Sequence, residues 1–155
     1  MKKTILISLI AGITLIFGSW AMAASKPTLP APTNLSCTAD ADSVYCDWDD
    51  VVGAYKYSVD VEILLAEGPN GGWEDATIIK LSFGTSDRTD GLPISQSDLD
   101  IPADLFGYYY IDENGNEVWF DLSGYTARAK VKALNPPGKS QNNPFSDWCS
   151  DFTIP

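Results

Sequence analysis

Apolar and polar residues alternate along most of this chain. In SVYCDWDDV, beginning at Ser43, the residues Val44, Cys46 and Trp48 are separated by polar ones, the period of two that a half-buried strand imposes. AYKYSVDVEIL, from Ala54, sets Tyr55, Tyr57, Val59, Val61 and Ile63 on one face. YTARAKVKAL predicts a strand with Tyr125, Ala127, Ala129, Val131 and Ala133 inward and Arg128, Lys130 and Lys132 outward. Turn-forming stretches separate these runs: EGPNGG at 67–72, TDGLP at 89–93 and NPPGKS at 135–140. No segment carries a 3.6-residue period. Many short alternating strands joined by Gly/Pro turns predict an all-β sandwich or barrel.

GYYYIDENGNEVWF, Gly107 to Phe120, predicts a hairpin of its own. Asn114-Gly115 is a favoured centre for a type I′ turn, because both residues tolerate positive φ. Pairing outward from it sets Asp112 opposite Glu117, Ile111 opposite Val118, Tyr110 opposite Trp119 and Tyr109 opposite Phe120. One side of the ribbon then carries Tyr109, Ile111, Val118 and Phe120, and the other Tyr108, Tyr110 and Trp119 with Asp112 and Glu117. A lone two-stranded ribbon is marginal in water, so one side is expected to be buried, and the aliphatic one is the natural choice. The remaining ledge, Tyr108, Tyr110, Trp119, Asp112 and Glu117, is the candidate ligand-binding set. Its rings could stack on sugars or anchor a protein, and its acids favour a hydroxyl-rich or cationic ligand. The competing expectation is that the ledge folds onto the sandwich and covers an edge strand.

The N-terminus changes where all this takes place. MKKTILISLIAGITLIFGSWAMA has a basic start, an apolar stretch from Thr4 to Phe17 and an A-x-A ending, the parts of a cleaved secretory signal. An uncleaved anchor is the alternative, since the apolar run is only slightly short of a membrane span. Cleavage after Ala23 would leave residues 24–155, with 24–29 a short linker and 30–155 the domain. The expectation is a secreted or periplasmic chain with no membrane insertion of its mature part. The leader contains two of the ten basic residues and none of the 21 acidic ones, so the mature net charge would be −13. That excess argues against nucleic acid and anionic membrane surfaces as partners.

Three cysteines in an oxidising compartment imply one bridge and one leftover thiol. Leu35 and Cys37 share a face of one strand and Val44, Cys46 and Trp48 a face of the next. With the two strands expected to form a hairpin, both sulfurs point to the same core, so Cys37–Cys46 is the predicted disulfide where the register allows it. The chain has no histidine, which excludes Ser–His and Cys–His nucleophile systems.

PAPTNLSCTADADSVYCDWDDVVGAYKYSVDV, with its proline, its leucine-bearing first strand and Trp48 facing inward from the second, resembles the first half of a fibronectin type III domain. YTARAKVKALNPPGKS resembles that family's strand F and the loop after it, and FSDWCSDFTIP its closing strand G. The resemblance spans most of 30–154. It implies an immunoglobulin-like β-sandwich, here with insertions near 64–80 and 100–121, so the hairpin is an inserted decoration. It also puts strand F beside strand C. The basic stripe of Arg128, Lys130 and Lys132 should therefore oppose the outward Lys56, Ser58, Asp60 and Glu62 as a surface ladder, not form an anion site. NPFSDWCSDF is similar to the WSxWS box of cytokine receptors, with Phe145 and Cys149 replacing its first tryptophan and last serine. Trp148 could make a cation–π contact there, although core packing is the expected fate. The hairpin itself resembles half of a choline-binding repeat, a family that builds its sites between successive copies.

Acidic clusters at Asp40/Asp42 and Asp47/Asp49/Asp50 could in principle hold calcium, and paired carboxylates could hydrolyse glycosides. DENGNE at 112–117 lacks calcium-loop spacing, however, and nothing marks a catalytic cleft. The expectation is a non-catalytic binding module without cofactor or metal, engaging a protein partner or a glycan on a cell surface. The alternative is a carbohydrate-binding module or, further off, a small carbohydrate-active enzyme.

Overall fold

The structure is a computed structural model that describes residues 28–85, 97–139 and 142–155. The expected leader at 1–23, most of the linker and the 89–93 turn lie outside the described residues.

Each alternating run becomes a strand with its apolar set inward. Strands β1 (Ser36–Ala39), β2 (Ser43–Asp47) and β5 (Asp98–Pro102) form an antiparallel sheet ordered β1-β2-β5. Strands β3 (Lys56–Ala66), β4 (Thr77–Gly84), β8 (Thr126–Leu134) and β9 (Phe152–Thr153) form a second, ordered β4-β3-β8-β9. The third sheet is the ribbon of β6 (Gly107–Ile111) and β7 (Glu117–Asp121). All pairings are antiparallel. No α-helix occurs among the described residues, only a 3-10 turn at Ala103–Leu105.

The two larger sheets share one core, which is the pattern of a β-sandwich. Val44 and Cys46 enter it from β2, Tyr57, Val59, Val61 and Ile63 from β3, and Ala127, Ala129, Val131 and Ala133 from β8, all fully buried. Within the four-stranded sheet the small residues of β8 stand beside the larger ones of β3, giving an uneven inner surface into which side chains of the opposite sheet fit. Burying each Val or Ile here contributes roughly 1.5–3 kcal/mol. Tyr55 and Tyr125, at strand ends, are only half-buried. Trp48 packs edge-on against Tyr57, with ring centroids 5.2 Å apart. The Tyr57 hydroxyl donates to Asp50 Oδ1 and accepts from the Val51 amide, so its polar end is satisfied inside the core.

Cys37 and Cys46 are directly opposite in the β1–β2 register and are bonded as a disulfide. Cys149 is a buried free thiol. Burial pushes its pKa up, and nearby Asp151 adds to the effect, against a hydrogen bond from the Ala129 amide. It is therefore a poor nucleophile where it sits.

Candidate functional site

The ribbon's local sequence decides which side chains it presents. Asp112 accepts hydrogen bonds from the amides of Asn114 and Asn116, at 2.9 and 2.8 Å, and one from Asn116 Nδ2. These bonds, the Asn116 amide foremost, hold its carboxyl below the ordinary aspartate value. The Gly115 amide closes onto Asp112 O, and the Asp112 amide onto Asn116 O. Gly115 alone in the loop takes positive φ, at 82°. The connection is thus a three-residue loop, Glu113-Asn114-Gly115, built on a type I turn with a left-handed glycine. It is not the expected type I′ turn. The Asp112 carboxylate makes the difference, because it rewards the conformation that gathers both amides around it.

One extra loop residue shifts the register, and every facing changes with it. Tyr109 lies opposite Trp119, Tyr110 opposite Val118, Tyr108 opposite Phe120 and Ile111 opposite Glu117. One face therefore carries Tyr109, Ile111, Trp119 and Glu117, and the other Tyr108, Tyr110, Val118 and Phe120. The expected division, with Ile111 and Val118 on one side and Tyr110 and Trp119 on the other, is corrected accordingly. So is the burial expected of the aliphatic side: Ile111 is 66% exposed. The more covered face is the one with Phe120, which stacks on Tyr108 at 5.3 Å and reaches Tyr125 at 6.3 Å. Of the five candidate ligand residues, Trp119 and Glu117 share the open face, Tyr108 and Tyr110 stand together on the other, and Asp112 organises the loop.

On the open face Trp119 lies against Tyr109, centroids 4.9 Å apart, and Tyr109 is 64% exposed. The indole also covers Gly107, where a Cβ would overlap it and the Phe120 carbonyl oxygen. Glycine at 107 is what allows the ring to lie flat on the ribbon. Beyond the indole is a cleft of about 380 Å³ lined by Ala103, Asp104, Phe106, Trp119, Asp121, Ser123 and Pro155. Tyr109 was expected on the buried side of the ribbon, and Gly107, Asp104 and Asp121 were not singled out by sequence reasoning. Reading Asp-x-x-Gly as the start of a three-residue loop would have found Tyr109.

A second aromatic cluster lies on the outer face of the four-stranded sheet. Residues two apart on β8 stand about 7 Å apart on one face, enough for a ring between them. Arg128 lies between Trp73 and Trp148, 4.2 Å from each ring centre. Lys130 follows between Trp148 and Phe145, 4.5 Å from each, and Lys132 lies 4.8 Å from Phe145. Trp148 is thus outside the core, contrary to the core-packing expectation. The chain before β9 is docked on β8 by its own polar atoms: Ser146 Oγ accepts the Val131 amide and Cys149 Sγ the Ala129 amide. Trp73, which sequence reasoning passed over, donates its indole N–H to Asp151 at 3.0 Å.

The basic stripe is otherwise spent as expected. In the β3–β8 register Glu62 opposes Arg128, Asp60 opposes Lys130 and Ser58 opposes Lys132. Glu62, only 5% exposed, binds Arg128 at 2.7 Å and Lys80 at 2.8 Å. Burial works to raise its pKa, but the Lys80 and Arg128 hydrogen bonds and charges outweigh it and hold the carboxyl below its usual value.

Within the acidic clusters, Asp40, Asp49 and Asp50 have structural partners. Asp40 accepts the Asp42 and Ser43 amides in the β1–β2 turn, and Asp49 binds Thr33 Oγ1 and Asn34 Nδ2. Among the described residues no three His, Cys, Asp or Glu side chains converge as a metal site would require. No helix among them is long and apolar enough to cross a membrane. Neither any protein-family model nor any of the curated proteins compared with the chain matches it.

Proposed function

We propose that this protein is a secreted or periplasmic, non-catalytic binding module whose contact element is the β6–β7 hairpin. One observation carries the reading. Five of the eight large hydrophobic side chains exposed among the described residues are on that ribbon: Tyr108, Tyr109, Tyr110, Ile111 and Trp119. A concentration of aromatic surface on one short element is the composition of a recognition patch, and Tyr and Trp are the side chains that dominate contact energies. Asp112, Glu113 and Glu117 ring its tip with negative charge, which favours a hydroxyl-rich or cationic contact. The export half of the reading rests on the leader-like N-terminus and on the Cys37–Cys46 bridge, which persists in oxidising compartments.

The scaffold reading is a fibronectin type III-like sandwich. It is supported by the resemblance in sequence and by the adjacency of β3 and β8, as that family places strands C and F. On this reading the hairpin is an insertion between β5 and β8, and the connection around 67–76 belongs to the other insertion.

The test is retention of native envelope or culture-fluid proteins on the immobilised chain, compared with a Tyr110→Ala/Trp119→Ala double variant of unchanged melting temperature. A specific partner lost in the variant supports the reading. Equal retention by both overturns it. Sugar recognition is the second reading, favoured by the cleft beside Trp119.

A further inference from the structure

We propose that the cleft between the 3-10 turn and the foot of β7 is a subsite for an uncharged pyranose ring. The inference rests on the hairpin being a recognition element, and it adds the ligand class and the residues.

The platform is preformed. The Trp119 indole is backed by Gly107, whose missing side chain it occupies, and flanked by Tyr109 at 4.9 Å, while 41% of the residue stays open. A ring already immobilised loses little entropy on binding, so stacking on it is retained as affinity. The polarised C–H face of a pyranose meets an aromatic face favourably, and the opposite edge of such a sugar offers hydroxyl donors. The cleft supplies the acceptors. Asp121 is oriented by the Ser123 amide at 2.9 Å and Ser123 Oγ at 3.2 Å, which leaves each carboxylate oxygen a free lone pair. Asp104 is exposed on the facing turn. A hydroxyl bound to a carboxylate makes a charge-assisted bond, the stronger kind.

What is missing from the lining sets the ligand's charge. Among the described residues no lysine or arginine lines the cleft, and two carboxylates do, so uronic, sialic and phosphorylated sugars are repelled. One partly exposed indole suits a flat ring better than it encloses a quaternary ammonium, which is bound by several rings together. At about 380 Å³ the cleft is near the small end of ligand sites, which run from about 300 to 1,000 Å³.

The experiment is binding of the purified protein to an array of neutral and acidic glycans, followed by calorimetric titration with the best neutral saccharide, with glucuronic acid and with choline. Saturable binding of a neutral saccharide is expected, weakened at least tenfold by Trp119→Ala and several-fold by Asp104→Asn. Because Asp104→Asn alters only an exposed side chain, it keeps the test valid even where Trp119→Ala fails to fold. Gly107→Ala should also weaken binding, by displacing the indole. Preference for choline or glucuronate overturns the proposal, as does neutral-sugar binding indifferent to Asp104→Asn, or no binding at all. A chain that binds no saccharide but loses a protein partner on Tyr110→Ala/Trp119→Ala retains the hairpin reading without the subsite. Indifference in both assays overturns both.

Discussion

The two aromatic clusters of this molecule use the same residue types to opposite ends. On the outer face of β8, Trp73, Trp148 and Phe145 alternate with Arg128, Lys130 and Lys132, and Trp148 and Phe145 each hold two cations at 4.2–4.8 Å. On the hairpin, Tyr109 and Trp119 touch each other and then face outward, with acids but no cation among their neighbours in register. An aromatic ring flanked by cations stabilises the fold; one left half-open beside acids remains available to something else. The difference comes from what the neighbouring strand supplies, not from the rings themselves.

The sharpest way to break this comparison is to remove a ring from each cluster. Trp148→Ala takes away the slab shared by Arg128 and Lys130 and bares the sheet beneath it. Unfolding in urea should show a loss of about 2–4 kcal/mol. A loss below 1 kcal/mol would mean the ladder is decoration.

Beneath the ladder, Glu62 ties Arg128 to Lys80, and its replacement tests how much the charges contribute. Glu62→Gln should cost about 1–3 kcal/mol at neutral pH, moderated because Lys80 is largely exposed. The sign of its pH dependence follows from the lowered folded pKa. The contribution is fully present above the ordinary glutamate value of 4.5 and is lost as pH falls through the lower folded value. Acid unfolding of the wild type should therefore be steeper below pH 4.5 than that of Glu62→Gln. Parallel curves would remove Glu62 from the account.

A charge reversal inside the ladder comes next. As one member of a surface charge ladder, Lys130 would contribute no more than about 1 kcal/mol. Flanked by two rings and facing Asp60, it should cost about 1–2 kcal/mol when changed to Glu, read as a lowered denaturant midpoint at constant slope.

The smallest effect belongs to the hairpin. Tyr109→Ala, on the open face, should shift stability by less than about 0.5 kcal/mol. A melting temperature that falls as far as that of Trp148→Ala would make the hairpin rings architecture as well, and the contrast between the clusters would disappear.

Much of the scaffold could be read directly from the chain. The alternation in 44–48, 57–63 and 127–133 named the buried residues, because a strand offers only two faces and the apolar set must share one. The Cys37–Cys46 pairing followed from the same logic of facing, and the register that sets the two directly opposite came from the fold. The opposition of Glu62 and Arg128 needed more, namely the resemblance that placed β8 beside β3.

The candidate site was legible in composition but not in facing. The sequence by itself marked 107–120 as an aromatic hairpin. It could not choose between a two- and a three-residue loop, because Asn114-Gly115 suits the first and Asp112 with Gly115 suits the second. That choice moves the register by one residue and sends Tyr110 and Trp119 to opposite sides. Tertiary structure alone decided the rest. Trp73 and Trp148 are 75 positions apart yet clasp the same guanidinium, and Asp104 and Trp119 line one cleft only because the chain folds back there. Local patterns are set by the backbone's own period, whereas contacts across the chain depend on which strands pair, and no short window of residues contains that information.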